Sequence, residues 1–314
     1  MQYLKPITLL MPVKNGEIHI KKSMKFLTDN CGANDEILVV NDNSTDNTFG
    51  LLKEWEKNYP NVKVINSLKS GLANALNLGI SNSANDWIAR FDVDDSYPSN
   101  RIIETRKSIN NGAVCIFTDY KFTTSDGLGL GVIPSGIYPD FTYLSLVTSQ
   151  RTAHPSVCFN KIAALDVGGY KNEDFPAEDI SLWLRISKMG QIISIPQVLL
   201  KYRIGGSSVT GSMRAKAISK KNELFLNFIF DKFILEKCLT NLNETKFLYS
   251  KEILGKKRFL LHLRDLLLIY SLPSNRNASS LAKIRRKIMM DLNSYPSAGN
   301  LFLEAALRKT YRLI

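Results

Sequence analysis

Long hydrophobic runs are missing from this sequence. No uninterrupted apolar stretch reaches the roughly 20 residues that a membrane-spanning helix needs, so no such span is expected. Cysteine is scarce. Cys31, Cys115, Cys158 and Cys238 are the four in 314 residues, far apart and without a C-x-x-C pair. That spacing suits neither a zinc site nor a disulfide framework, and a reducing cytosol is the expected setting. A basic segment followed by a long apolar stretch and a small-residue cleavage site is also lacking. The chain runs almost at once into Ile7-Thr-Leu-Leu-Met-Pro-Val13, so no signal peptide is expected. The glycines form no phosphate loop: Ser125-Asp-Gly-Leu-Gly-Leu-Gly131 lacks the G-x-x-x-x-G-K-[ST] pattern and reads as a loop or hairpin.

What is present is ordinary globular composition, 44% hydrophobic and 22% charged, in a chain long enough for one large domain or a domain plus an appendage. The formal net charge of +12 is unevenly placed. Residues 215–314 hold 19 basic and 8 acidic groups, against 22 and 21 in the rest. A basic segment of this kind is drawn to nucleic acid or to an anionic membrane surface.

The first half alternates short apolar runs with helix-period segments. Strands are expected at Ile7–Val13, Glu36–Val40, Val62–Ile65, Trp87–Phe91 and Val114–Phe117, with helices near Ile18–Leu27, Thr48–Tyr59, Leu72–Ser81 and Asn100–Ile109. In the second helix Leu52, Trp55 and Tyr59 form an apolar stripe, with Lys53, Glu54, Glu56 and Lys57 facing out. This alternation predicts an α/β fold with a mostly parallel sheet covered on both faces. From about residue 215 the pattern turns helical, with apolar faces at Phe225–Ile234 and Leu260–Tyr270 and basic clusters at Lys256-Lys-Arg258 and Arg285-Arg-Lys287.

Ligands of such sheets bind beyond the carboxyl ends of the strands, and that is where the acidic motifs fall. Asp92-Val-Asp94-Asp95 follows the Trp87–Phe91 strand. Three close carboxylates repel one another and raise each other's pKa unless a cation sits among them. A hard divalent ion prefers oxygen ligands and often also holds phosphates. An isolated Asp pair also reads as a solvated turn. Val39-Val-Asn-Asp-Asn-Ser-Thr-Asp46 follows the second strand. Ser44, Thr45 or Asp46 can cap the next helix, but capping leaves Asp42 unexplained. Glu178-Asp179 opens a helix whose Ile180, Trp183, Leu184 and Ile186 can pack inward. Acids are favoured at a helix N-terminus by the dipole, and the same pair can serve as a general base with a charged neighbour. Periodicity does not choose between the two.

Taken in order, Pro12-Val-Lys-Asn15, Asn41-Asp-Asn-Ser-Thr-Asp46, Ala89-Arg-Phe-Asp-Val-Asp-Asp95 and Glu178-Asp-Ile-Ser-Leu-Trp-Leu-Arg185 are far more specific than any one alone. Over about residues 5–210 the chain resembles the family 2 glycosyltransferases of the GT-A fold, particularly bacterial enzymes building surface polysaccharides. Ser70–Gly79, His154-Pro-Ser-Val157, Gly168-Gly-Tyr170 and Tyr202-Arg203 agree. The resemblance implies a Rossmann-like GT-A catalytic domain at 1–212, with a nucleotide-binding half to about 95 and an acceptor half from 96, and a basic helical region at 213–314. It implies nucleotide contacts from Pro12, Val13, Asn15, Asp42, Lys69 and Asp92, and a Mn²⁺ or Mg²⁺ ion held by Asp94 with Asp92. Asp179 would be the catalytic base with Glu178 its companion, and His154, Trp183 and Arg185 would lie on the acceptor or diphosphate side. Two positions depart from the family pattern: Lys14 stands where an aromatic often stacks on the base, and Asn41 where an Asp usually precedes Asp42.

The expected activity is inverting transfer of a hexosyl group from a nucleotide-sugar, most simply a UDP-sugar, to a hydroxyl of a glycan or lipid-linked saccharide in O-antigen, capsule or related synthesis. The expected setting is cytoplasmic, with residues 215–314 either peripheral on the inner face of the cell membrane or a solvated helical cap on the catalytic domain. A metal-dependent nucleotidyltransferase is an alternative, but Pro12-Val-Lys-Asn15 is not the basic, Gly-rich triphosphate loop such enzymes use. A nucleic-acid-binding protein is another. It would want exposed aromatics clustered beside the basic groups, and no specific nucleic-acid partner is expected.

Overall fold

The computed structural model describes residues 5–109, 112–124, 127–135, 137, 152–204 and scattered positions from 213 to 224. All of these fall in one compact unit, residues 1–139 with 151–224. The helical faces and basic clusters expected beyond residue 224 lie outside the described residues, as does most of the region expected at 213–314.

Thr8–Val13 (β1), Glu36–Asn41 (β2), Val62–Asn66 (β3) and Trp87–Arg90 (β4) pair in parallel in the order β3-β2-β1-β4. The helices Glu17–Asn30 (α1), Thr48–Asn58 (α2) and Leu72–Asn82 (α3) connect them. All six residues of β1 are buried, as expected of a strand covered on both faces. Its side chains alternate. Leu9, Met11 and Val13 join a core with Ile20 and Met24 of α1 and Leu52 of α2. Leu10 points the other way and meets α3, where a Cβ on Gly79 would come within 2.4 Å of the Leu10 side chain.

After Arg101–Lys107 (α4), the second half adds Ala113–Thr123 (β5), Gly129–Ile133 (β6), Cys158–Asn160 (β7), Lys161–Asp166 (α5), Glu178–Ile186 (α6) and Gln191–Arg203 (β8). The short strand β7 runs antiparallel to both β4 and β5 and joins the two halves of the sheet, while β8 runs parallel to β5. Of the Gly-rich stretch, Gly127 and Leu128 precede β6 and Gly129 to Gly131 form its start, antiparallel to β5.

The strands and helices expected in the first half are present, with shifted ends. β5 runs on to Thr123, six residues beyond its expected end, and α4 is shorter than expected at both ends. In α2 the stripe is only partly internal. Leu52 is buried, whereas Tyr59 lies past the helix end and is 38% exposed, stacked on Trp55 at 5.1 Å. Glu56 turns inward and accepts the Val64 N–H at 2.7 Å, so it does not face out as the pattern suggested.

Asp35 braces the N-terminal edge of β1. It accepts the N–H groups of Ile7 and Gly32 and pairs with Arg106 of α4, and its side chain is 1% exposed. A buried charge with all its partners in place is tolerable, and this one fixes the sheet end opposite the acids.

Candidate active site

Because β1, β2 and β4 are parallel, their carboxyl ends lie along one edge of the sheet, and Asp42 and Asp92 follow directly there. Pro12, Val13, Lys14, Asp42, Gly71 and Phe175 border a cleft of about 470 Å³, within the ordinary range for a small-molecule site. Asp42 is nearly buried, and its two oxygens share the Gly71 N–H at 2.9 and 3.1 Å. Gly71 has φ +123°, a backbone that a side chain would strain, and this aims its N–H at the carboxylate. Lone pairs of Asp42 remain for a ligand.

The neighbouring residues serve the walls. Asn15, at φ 52°, gives its N–H to the Ser44 hydroxyl at 2.9 Å, and its Oδ1 accepts from the Thr45 N–H at 2.8 Å. Its side-chain oxygen braces the loop after β2. Asn41 donates its amide to the Asn66 Oδ1 at 2.8 Å, a bond that an aspartate in its place could not donate. Lys14 gives its ammonium to the Ser70 hydroxyl at 2.8 Å, and Lys69 is exposed on the same loop.

At the end of β4, Arg90 is almost wholly buried and grips Asp92 with both terminal nitrogens, at 2.8 and 3.0 Å. The Asp92 N–H is given to the Tyr97 hydroxyl at 2.8 Å. Asp95 is buried. One of its oxygens accepts the Arg203 N–H at 2.8 Å, tying the acidic loop to the end of β8, and the other is buried without a hydrogen bond. Ser96 and Lys201 exchange backbone hydrogen bonds beside it. Asp94 is half-buried and makes no hydrogen bond or ion pair among the described residues. Burial pushes the Asp92 carboxyl up despite Arg90, with Asp94 adding to the rise, and burial together with the charge of Asp92 pushes Asp95 well up.

This arrangement fits a divalent cation. The donors are carboxylate oxygens, one of them buried and unsatisfied, and a dication would reverse the repulsion that raises them. Among the described residues no three acids, histidines or cysteines converge as a ready cage. A site completed by substrate phosphates needs only one or two carboxylates.

The second acidic group opens α6, which begins at Glu178. Asp179 is half-buried, and its Oδ1 accepts the Ile180 N–H at 2.8 Å. Glu178 is buried with Oε2 unpartnered. Burial and then the charge of Asp179 push it up to about 7, while Arg90 and Lys221 pull it down. His154 Nε2 meets the Tyr170 hydroxyl at 2.8 Å. Burial, and then the nearby Arg90 charge, hold the imidazole well below its usual range, so it is neutral.

Arg90 is thus the charge common to both acidic groups: it binds Asp92 and also acts on Glu178, His154 and Tyr170. Neither Arg90 nor Tyr170 was among the expected site residues. The signal for Arg90 was available: a lone arginine at the end of an otherwise apolar strand needs a buried partner.

Two expected site residues have their side chains engaged in packing and backbone contacts. Trp183 is 0% exposed, packed among Phe117, Phe159 and His154, and backs the site without facing it. Arg185 spends its guanidinium on the carbonyls of Ser181, Val167 and Gly169, fastening α6 to the Gly168-Gly169 turn.

The raised Glu178 pKa has a measurable consequence. The folded chain binds more protons than the unfolded one between the ordinary 4.5 and about 7, so stability falls as pH rises through that window. The loss is complete above the folded pKa and is at most about 3 kcal/mol. Glu178→Gln is therefore expected to gain thermal stability relative to wild type as pH rises from about 5 to 8. Parallel Tm curves across that range would show that the carboxyl is not buried in this way.

Residues 8–157 match the Glycosyl transferase family 2 domain. The chain is similar to the UDP-Gal:alpha-D-GlcNAc-diphosphoundecaprenol beta-1,3-galactosyltransferase of Escherichia coli, 28% identical over 209 residues, covering 63% of this chain and 73% of that protein. It is also similar to an uncharacterized glycosyltransferase of Rickettsia bellii, 26% identical over 205 residues, and to the hyaluronan synthase of Pasteurella multocida, 23% identical over 219. These two matches cover 65% and 69% of this chain but only 29% and 22% of the relatives, so the chain spans less than a third of their length. Among solved structures, S. aureus TarS 1–349 in complex with UDP-GlcNAc superposes with a TM-score of 0.63 at 15% identity, covering 91% of this chain and 89% of that one. The mannosyltransferase PcManGT of Pyrobaculum calidifontis, in complex with GDP-Man and Mn²⁺, gives 0.53 at 16% identity, covering 93% and 88%. The shared fold is GT-A. Among the described residues no helix is long and apolar enough to cross a membrane.

Proposed function

With residues 8–157 belonging to glycosyl transferase family 2 and the chain a glycosyltransferase of GT-A fold, we propose that it transfers a sugar with inversion from a UDP-sugar to a hydroxyl of a glycan or lipid-linked saccharide. Synthesis of a bacterial surface polysaccharide such as O-antigen or capsule is the setting that fits the Escherichia coli relative. The observation that carries the reading is Arg90, which binds Asp92 and also carries its charge to Glu178, at the end of β4 on the same strand-end edge as Asp42.

In this reading Asp42 accepts an N–H from the nucleobase, between Pro12 and Val13 on one side and Gly71 on the other. Asp94, with Asp92, would hold Mn²⁺ or Mg²⁺, which when bound neutralises the donor diphosphate and eases its departure. Arg90 offsets part of the cost of charging buried Asp92 and aims it. Asp95 holds the acidic loop on β8. Asp179 takes the proton of the acceptor hydroxyl while that oxygen attacks the anomeric carbon from the face opposite the diphosphate. The bond to the diphosphate breaks in the same displacement, so the configuration inverts without a covalent intermediate. The transition state has oxocarbenium character, as in glycoside hydrolysis. Neutral His154, backed by Tyr170 and Trp183, walls the same side without adding charge.

The 19 basic groups of residues 215–314 support a place at the anionic inner face of the membrane, at about 1 kcal/mol for each group near the surface. Sedimentation with phosphatidylglycerol vesicles and its loss in high salt would support this. Equal pelleting with neutral vesicles would exclude it.

A thermal-shift series of nucleotide-sugars with Mn²⁺ tests the central reading. A UDP-sugar at 100 times its Kd stabilises the native state by about 2.7 kcal/mol. No shift with any nucleotide-sugar would overturn it.

A further inference from the structure

We propose that Phe175 is a specificity residue of the donor site, presenting the aromatic face on which the nucleobase stacks. The inference rests on the nucleotide reading above and adds a residue to it. Around Asp42 the cleft wall is aliphatic: Pro12 and Val13 from β1, with Leu72, Ala73 and Ala75 from α3. Such a wall offers a base apolar contact but no ring to stack on. Lys14 supplies no ring either, and its ammonium is held by Ser70. Phe175 is the aromatic among the described residues bordering this cleft, and it is half-buried, with part of its surface still open.

Its position is fixed by backbone and amide contacts. The Phe175 N–H is given to the Asn172 carbonyl at 3.2 Å, closing a single turn over residues 172–175. The Asn172 amide is given to Asn74 Oδ1 at 2.8 Å, which fastens that turn to the first turn of α3. Asp42 accepts the N–H of Gly71, the residue immediately before α3. The group that reads the base edge and the ring that covers its face are therefore both referred to the same helix end. A stacked ring and a fixed carboxylate together recognise a flat heterocycle that carries a ring N–H.

The test uses the full-length protein with Mn²⁺ and calorimetric titration of UDP and of inorganic pyrophosphate. Phe175→Leu keeps the apolar volume and removes the π face. It is expected to weaken UDP binding by roughly 5- to 150-fold, the range seen when a stacking aromatic is lost, with pyrophosphate binding unchanged. Phe175→Trp is expected to bind UDP within about threefold of wild type. Its added indole emission should be quenched by UDP and not by pyrophosphate. That signal reads clearly because Trp87 and Trp183 are buried and Trp55 lies on α2. Leucine-variant and wild-type proteins with equal UDP affinity, or emission from the Phe175→Trp variant that is indifferent to saturating UDP, would overturn the proposal and leave the nucleotide reading standing. Wild-type protein that binds no nucleoside diphosphate would overturn both.

Discussion

Replacing Asp179 by Asn is expected to lower kcat by roughly 10³-fold, the middle of the range for loss of a positioned general base. UDP affinity should stay within about threefold, since Asp179 is proposed to act on the acceptor. The amide keeps the shape of the side chain, and its Oδ1 still accepts the Ile180 N–H that orients it. What it loses is the capacity to take a proton. Glu178 is poorly placed to substitute. It is buried, and its carboxyl is pushed up to about 7, so a large fraction is already protonated at neutral pH. Transfer of radiolabelled sugar, measured with calorimetry of UDP binding, separates the two effects. A kcat within tenfold of wild type would remove Asp179 from the proton transfer and pass the role to Glu178.

Loss of the Mn²⁺-dependent gain in UDP affinity, by roughly 100-fold or more, is expected for Asp94→Ala. The three acids of the loop are not equivalent. Asp92 has both oxygens on Arg90, and Asp95 has one on the backbone of β8. Asp94 alone makes no hydrogen bond or ion pair among the described residues, so its carboxylate is the one left for an ion. For the same reason its removal should cost little in folding, within about 0.5 kcal/mol, and should relieve the repulsion felt by Asp92 and Asp95. Titration of UDP with Mn²⁺ and again with a chelator gives the difference directly. An unchanged metal dependence would place the ion elsewhere.

The parallel half of the fold and the acidic edge were legible because each strand is an apolar run ended abruptly by polar residues. Asp42 and Asp92 stand immediately past those ends, and the topology of a parallel sheet brings such ends together wherever they fall in the chain. Partners were harder to read. The link from Arg90 to Glu178, His154 and Tyr170 joins segments far apart in the chain, and nothing in local spacing encodes it. Trp183 lies one turn beyond Asp179 on the same helix. Periodicity groups the two on one face, and only packing shows that the first is buried in the core while the second stays half-open. Arg185 carries a charge that a sequence reading naturally gives to phosphate, while the fold spends it on three carbonyls. The antiparallel strand β7 is three residues long, too short to show any period.

That short strand also bears on which positions of the sheet can vary. Cys158–Asn160 pairs with β4 on one side and β5 on the other, so the continuity of the sheet from the base cleft to the acid pair runs through three residues. Main-chain hydrogen bonds thus set the frame of the sheet, and the side chains of Trp183 and Arg185 seat α6, with its acid pair, on that frame. Position 159 cannot vary to proline, because Phe159 is paired on both sides and the substitution would remove a donor from the middle of the sheet.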